Sequence, residues 1–339
     1  MHKNPLYDAF SGTRVLVTGA IGFIGQHLCT ALIQNGARVY GLRRPDTSSR
    51  QWILNPDRVT WLEADLNDRA QLEKVVRPIR ATHIMHLAAA TSVERGLQAA
   101  DRMIMNNLKG TIHLLQALDG TDYSCFIQTG SAEEYGAGNA PFHEDTPLKP
   151  VSSYSASKAA ASLFCSMFHR TLGCPIILIR PFLVYGPGQP PDKLIPQTIL
   201  AALTNRPFQM TSGQQTREFT YIDDLIDGYL RAAITPEAIG HTINLGTGIS
   251  LPVAEVVGKI IEMTGSDLTP EIGALPDRPG EIWSYACDNS KARTLLGWSP
   301  ATSLENGLQI TIDWYRQAIE QGRLPLGLSS DTSNSNKPS

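Results

Sequence analysis

The chain has 339 residues, 42% of them hydrophobic and 18% charged, enough for a large buried core in one big domain or two modest ones. A formal net charge of −3 gives no general pull toward nucleic acid or anionic membranes, so neither is expected as a partner. Five cysteines, Cys29, Cys125, Cys165, Cys174 and Cys287, are odd in number and show no CxxC spacing. That usage fits a reduced cytoplasmic protein with no disulfide framework and no metal site. The first ten residues lack a charged-then-apolar leader pattern, and apolar runs such as CPIILI are too short to cross a bilayer.

The first apolar run, RVLVT, leads into TGAIGFIGQHL, where Gly19, Gly22 and Gly25 separate a strand from a helix beginning near Phe23. A strand, a tight turn and a helix N-terminus present unpaired N–H groups and a positive dipole end to an anion, and only glycine lets a pyrophosphate come so close. Glycines that merely let a helix pack near a strand look similar locally, so the preceding strand is what favours the dinucleotide reading.

The second run ends in VYGLRRP, with Arg43 where an acidic residue would hold the ribose 2′-hydroxyl of NAD, and Arg44 beside it. Guanidinium groups suit a 2′-phosphate, which favours NADP(H), with NAD(H) as the other choice. RVTWLEA is a third strand, followed by EADLND, in which Asp65 either accepts from the adenine amine or makes a turn. The helix RAQLEKVV, the strand THIMHLA, a long helix through DRMIMNNLKGTIHLLQAL and the strand SCFIQTG come next.

SCFIQTG runs into GSAEEYG, which puts Ser131 at a carboxyl edge, where open α/β sheets bind ligands. In SSYSASKAAA, on a helix from about Tyr154 to His169, Tyr154 and Lys158 are four apart and share a face. A tyrosine titrating near its ordinary value of about 10 is a poor base at neutral pH; a neighbouring ammonium and the positive ring of a nicotinamide both favour its phenolate. After the strand PIILIRP the pattern loosens, and HTINLG at 241–246 is apolar enough to rejoin the main sheet.

This strand–helix alternation predicts an α/β fold, a doubly wound parallel Rossmann sheet with a smaller, discontinuous C-terminal lobe. The expected dinucleotide-binding domain is 12–186 plus about 220–248, and the substrate lobe about 187–219 and 249–320. The polar stretch 326–339 reads as a disordered tail.

Taken together, these motifs resemble the extended short-chain dehydrogenases/reductases in their nucleotide-sugar epimerase/dehydratase branch. The resemblance spans roughly residues 12–318: TGAIGFIG matches TGxxGFIG, HLAAATSV the HLAA segment near the cofactor, and NNLKGTIHLLQA the NVxGTxNLLEA helix. RPFLVYGPGQ matches RPxNVYGPG, REFTYIDDLIDG matches RDFxYVDDxxxA, and DRPGEIWSYACDNSKARTLLGWSP matches the closing RPG…SKA…LGWxP pattern. The resemblance implies that Ser131, Tyr154 and Lys158 are the catalytic triad. It implies cofactor contacts at Gly19, Gly22, Phe23, Ile24, Gly25, Asp65, Leu66, Leu87, Ala88, Ala89 and Asn107, beside Tyr154 and Lys158. Arg217 and Arg278, with Lys193, are the implied contacts for an NDP-sugar, whose two phosphate charges suit bidentate donors. A homodimer through a four-helix bundle of the helices near 100–118 and after Tyr154 is also implied. Leu183 stands where the family has an asparagine that often touches substrate.

In the family's common step Tyr154 takes the proton of the sugar's C4 hydroxyl, Ser131 shares that hydrogen bond, and hydride passes to the nicotinamide. Glu133 occupies the place of the carboxylate base that removes the C5 proton in dehydratases, while Ala132 replaces an aspartate some of them carry beside it. The expected reaction is an NDP-hexose 4,6-dehydration, ahead of 4-epimerisation and of NADPH-dependent reduction of a 4-keto-6-deoxyhexose. A non-catalytic NADP-sensing protein is a remote alternative, because such proteins characteristically lose the Tyr or Lys that this chain keeps.

Overall fold

The computed structural model describes residues 5–45, 56–91, 97–277 and 280–323. Arg278 and the tail 326–339 lie outside the described residues.

Six apolar runs become β1 (Arg14–Thr18), β2 (Arg38–Arg43), β3 (Val59–Glu63), β4 (His83–His86), β5 (Cys125–Thr129) and β6 (Ile176–Pro181), and Thr242–Leu245 adds a seventh strand. The order across the sheet is Thr242–Leu245, β6, β5, β4, β1, β2, β3, with every pairing parallel. Parallel strands covered on both faces need apolar residues at successive positions, and β5 is buried at all of its positions. The strand order reverses between β1 and β4, so their carboxyl ends open the crevice in which doubly wound sheets bind ligands.

The covering helices are α1 (Phe23–Gln34), α2 (Arg69–Val76), α3 (Ala100–Met103), α4 (Gly110–Ala117) and α5 (Ser153–Leu172). Leu16, Ile84, Phe126 and Leu178 of the sheet pack with Leu72, Val76, Leu114 and Cys165 of these helices in one core. The expected single helix through 100–118 is not continuous: Ile104–Lys109 winds as a π-helix between α3 and α4. Apolar periodicity reads straight through such a segment, because one widened turn shifts the register without changing which residues are apolar.

Further on lie α6 (Leu194–Thr204), α7 (Ile222–Ile234), α8 (Val253–Thr264), α9 (Ser290–Leu296) and α10 (Leu304–Glu320). The chain divides into two compact units. One contains the residues up to Val184, Gln215–Leu251 and the stretch that ends at Thr302; the other contains Tyr185–Gln214, Pro252–Asp277 and the residues from Ser303 on. Residues 215–219 and 280–302, grouped with the smaller lobe in the sequence reading, thus fall in the first unit. The second unit has its own core of Ala201, Phe208, Met210, Val253 and Val257. Among the described residues no helix is long and apolar enough to cross a membrane.

Candidate active site

The glycine turn is built by contacts that exclude side chains. Gly19 has φ +67°, and a Cβ there would lie 2.8 Å from the Ala88 nitrogen. A Cβ on Gly25 would lie 2.2 Å from the Gly19 carbonyl oxygen. Gly22 differs: its φ is −74°, and a Cβ would meet only the Gly19 oxygen at 3.1 Å, so glycine there keeps space open at the α1 N-terminus. No side chain caps that end, which leaves the first-turn N–H groups, those of Phe23 and Ile24 included, to a ligand. A cradle closed to Cβ atoms on the protein side and open on the other fits the pyrophosphate of a dinucleotide.

One directed hydrogen-bond chain holds the turn against the neighbouring strands. The Thr111 hydroxyl donates to the Asn107 carbonyl at 2.6 Å and lies 3.0 Å from His86 Nε2, while His86 Nδ1 lies 2.6 Å from the Thr18 hydroxyl. Thr18 Oγ1 accepts from the Ala88 N–H at 3.1 Å. Only an Nε2–H tautomer satisfies every member, with Thr18 donating to Nδ1. Burial, with Lys158 nearby, pushes His86 down to about 3, so the ring is neutral.

Asn107 is reassigned by its partners. Its side chain accepts from the Ala90 N–H at 2.7 Å and donates to the Ala90 carbonyl at 3.0 Å and to Ser157 Oγ at 2.9 Å. The amide is occupied by protein groups, so Asn107 holds the segment Leu87–Ala90 rather than reaching a cofactor itself. Leu66 likewise offers its carbonyl to His113 Nδ1 at 2.9 Å. Asp65 accepts from the Asn67 N–H at 2.8 Å through one oxygen, a turn bond.

At the end of β2 the sequence reading needs correction. The guanidinium read there as a receiver of a 2′-phosphate already has a partner: Nε and Nη2 of Arg43 donate to Glu63 Oε1 at 3.2 and 2.7 Å. The guanidinium also lies over the Trp61 ring, 5.4 Å from its centroid, whereas Arg44 is exposed.

The second cluster gathers at the carboxyl ends of β5 and β6. Ser131 N-caps the short turn Ala132–Glu134: its Oγ accepts from the Glu133 N–H at 3.2 Å, and its own N–H donates to Glu134 Oε1 at 2.8 Å. Helix α5 starts with a Ser152/Ser155 capping box, which places Tyr154 and Lys158 on its first turns. Burial and the charges of Glu133 and Glu134 push the Tyr154 phenol above its ordinary value, and its hydrogen bond with Ser131 pulls it down. Burial lowers Lys158 to about 8. The Lys158 ammonium donates to the Thr129 carbonyl.

The two adjacent glutamates have separate surroundings. Glu134 is fully buried: Oε1 accepts from Ser131 and from Ser162 at 3.1 Å, and Oε2 accepts from Arg180 Nε at 2.9 Å. Glu133 is half-buried and acts electrostatically on both Tyr154 and Tyr285. Tyr285, which the sequence reading missed, is buried against Phe142 and Phe182 with the Arg217 guanidinium 5.6 Å from its ring centroid. Its only sequence signal is an aromatic inside the closing RPG…SKA motif.

Arg217 donates through Nη1 to the carbonyls of Thr216 at 2.8 Å and Ile282 at 2.6 Å, and through Nη2 to Glu281. Its remaining donors are Nε–H and one Nη2–H. In the second unit Lys193 N-caps α6 and pairs with its neighbour Asp192 at 2.9 Å. Leu183 is partly exposed and presents its carbonyl to the Thr220 N–H at 2.8 Å. Among the described residues no group of His, Cys, Asp and Glu is arranged to hold a metal ion.

A glycine-lined helix N-terminus at the sheet's switch point, with a serine just beyond the end of β5 and a tyrosine and lysine on the first turns of α5, defines a short-chain dehydrogenase/reductase. The chain belongs to the NAD dependent epimerase/dehydratase family, whose model matches residues 15–246. It is 34% identical to the dTDP-glucose 4,6-dehydratase of Neisseria gonorrhoeae over 89% of this chain and 95% of that one. In structure it is similar to the UDP-glucose 4-epimerase of Thermotoga maritima, solved with UDP-glucose, at a TM-score of 0.85 and 28% identity over 91% of this chain and 100% of that one. It is also similar to a dTDP-glucose 4,6-dehydratase of Streptomyces venezuelae, solved with NAD, at a TM-score of 0.82 and 29% identity over 91% and 98%.

Proposed function

We propose that this enzyme is an NDP-hexose 4,6-dehydratase working through a 4-keto sugar. The observation that carries the reading is Glu133: a half-buried carboxylate on the same turn as Ser131, electrostatically coupled to Tyr154, beside a second carboxylate fully committed to an ion pair. Glu134 is held by Arg180, the Ser131 N–H and Ser162, so the base role in this reading goes to Glu133.

In this reading the Tyr154 oxygen takes the proton of the C4 hydroxyl while Ser131 orients that hydroxyl. Ser131 suits the task because its Oγ is held by the Glu133 N–H and bonded to Tyr154. A bound nicotinamide dinucleotide supplies the hydride acceptor and later returns the hydride. Gly19, Gly22 and Gly25 hold its pyrophosphate, and Asp65 takes the adenine amine. With C4 a ketone, the C5 hydrogen becomes acidic; Glu133 removes it and passes the proton to the C6 hydroxyl, which leaves as water, and hydride returned to C6 with a proton from solvent at C5 completes the 4-keto-6-deoxy sugar. Arg217 takes the nucleotide diphosphate with its remaining N–H groups, and Glu281 and the Tyr285 ring fix the plane of the guanidinium. Arg278 is a further substrate contact in this proposal.

4-Epimerisation is the second reading. Ala132, buried with Tyr135, Phe142 and Phe182, has no proton to give a leaving hydroxyl, and epimerases are among the structural relatives. Incubating the enzyme with dTDP-, UDP-, GDP- and CDP-hexoses and weighing the products separates the readings. Loss of water supports the dehydratase, an unchanged mass with a new NMR spectrum supports the epimerase, and a gain of two hydrogens from a 4-keto substrate supports the reductase.

We further propose a homodimer. Ile104 and Met105 of the π segment and Leu163, Phe164 and Leu172 of α5 are exposed, on two segments joined by the Asn107–Ser157 bond. A four-helix bundle between two copies would cover this surface. Light scattering at micromolar concentration should return twice the chain mass, and a monomer mass would refute the dimer.

A further inference from the structure

We propose that Glu63 is the residue that makes this enzyme choose NAD over NADP, doing from the end of β3 what an acidic residue at the end of β2 would otherwise do. The inference rests on the reading that the glycine turn binds a nicotinamide dinucleotide.

The argument starts from strand register. β2 and β3 are parallel with Arg43 opposite Glu63, so the last residues of two adjacent strands emerge side by side at the edge where the adenosine ribose is met. Both Nε and Nη2 of Arg43 converge on one Glu63 oxygen, at 3.2 and 2.7 Å. Those two nitrogens form the edge of the guanidinium that a phosphate takes when it binds bidentately. Trp61 fixes the group from its face, and Gly41 makes room for the indole: a Cβ at Gly41 would lie 2.8 Å from the ring. The arginine expected to welcome a 2′-phosphate is therefore clamped by a ring and capped by a carboxylate.

Two consequences separate the cofactors. A 2′-phosphate carries about two negative charges; it must displace Glu63 from Arg43 or share the guanidinium with it, and either way it approaches a carboxylate. A 2′-hydroxyl brings no charge and can donate to that carboxylate, so the Arg43–Glu63 pair stays intact under NAD. Glu63 is half-exposed, so the pair is a surface one that a phosphate weakens rather than an absolute barrier. The NADP preference expected from Arg43 and Arg44 is reversed by a residue twenty positions away in sequence.

Calorimetric titration of the full-length enzyme with NAD, NADP, 5′-AMP and 2′,5′-ADP tests this without recourse to turnover. In the wild type NAD should bind more tightly than NADP, and 5′-AMP more tightly than 2′,5′-ADP. Glu63→Gln should shift both ratios toward the 2′-phosphate by about tenfold, which is about 1.4 kcal/mol. In an Arg43→Met background the same replacement should shift them by less than threefold, because there is no guanidinium left to release. Ratios unmoved by Glu63→Gln, with NAD still bound, overturn the proposal alone. A wild type that binds neither dinucleotide overturns the cofactor reading beneath it as well.

Discussion

Glu218 offers a perturbation whose size follows from its surroundings. Its side chain is fully buried, with Oε2 accepting from the N–H groups of Cys287 and Gly248, each at 3.0 Å. Oε1 packs where a Cβ on Gly246 would sit, 1.9 Å away, and takes no nitrogen or oxygen donor among the described residues. Burial pushes the carboxyl up from 4.5 to about 7, and hydrogen bonds from the Cys287 N–H and thiol and from the Gly248 N–H oppose the shift without cancelling it. The folded protein therefore holds this proton more tightly than the unfolded chain does. The stability it contributes is fully present below pH 4.5 and is lost as pH rises through about 7. A difference of 7 − 4.5 = 2.5 units corresponds to about 3 kcal/mol. Glu218→Gln keeps the shape and an acceptor for both N–H groups but cannot ionise. The variant should match the wild type near pH 4.5 and exceed it by about 3 kcal/mol at pH 8. Urea unfolding followed by circular dichroism at both pH values measures this, and the comparison cancels the other carboxylates. An identical stability difference at both pH values would refute the reasoning.

Three further outcomes follow from the site. Gly25→Ala drives a methyl into the Gly19 carbonyl and should abolish NAD binding by calorimetry while the protein remains folded by circular dichroism; an unchanged Kd would contradict the cradle. Glu134→Gln leaves the Arg180 charge buried with a neutral partner and should cost about 3–5 kcal/mol in urea unfolding; an unchanged unfolding midpoint would contradict the buried ion pair. Tyr154→Phe should lower kcat by at least about a hundredfold with NAD affinity within twofold, and Ser131→Ala should be milder; substantial turnover in Tyr154→Phe would mean another base is at work.

The sheet, the glycine turn and the Tyr154–Lys158 helix were legible because each is written locally: a run of apolar residues, a spacing of glycines, a four-residue interval. Interactions between distant segments were not. Arg43 and Glu63 become partners only through the β2–β3 register, and Arg217 meets Glu281 only once residues 280–302 join the first unit. The π segment escaped for a related reason, since the bonds of Asn107 to Ala90 and Ser157 come from other elements and leave no mark on apolar periodicity. Lys158 was found by spacing, but its partner, the Thr129 carbonyl, is a backbone atom that no side-chain pattern announces. Choosing between Glu133 and Glu134 from sequence alone relied on family position; the ion pair with Arg180 supplies the physical reason.

The central claim is that Glu133 removes the C5 proton of a 4-keto sugar, and turnover in deuterated water tests it most directly. With the hexose nucleotide that the enzyme accepts, the account predicts one solvent deuterium at C5 of a product lighter by one water. It also predicts that Glu133→Gln stops elimination while the absorbance of bound nicotinamide still changes on adding substrate. A fully active Glu133→Gln variant, with no solvent deuterium in the product, would contradict the account.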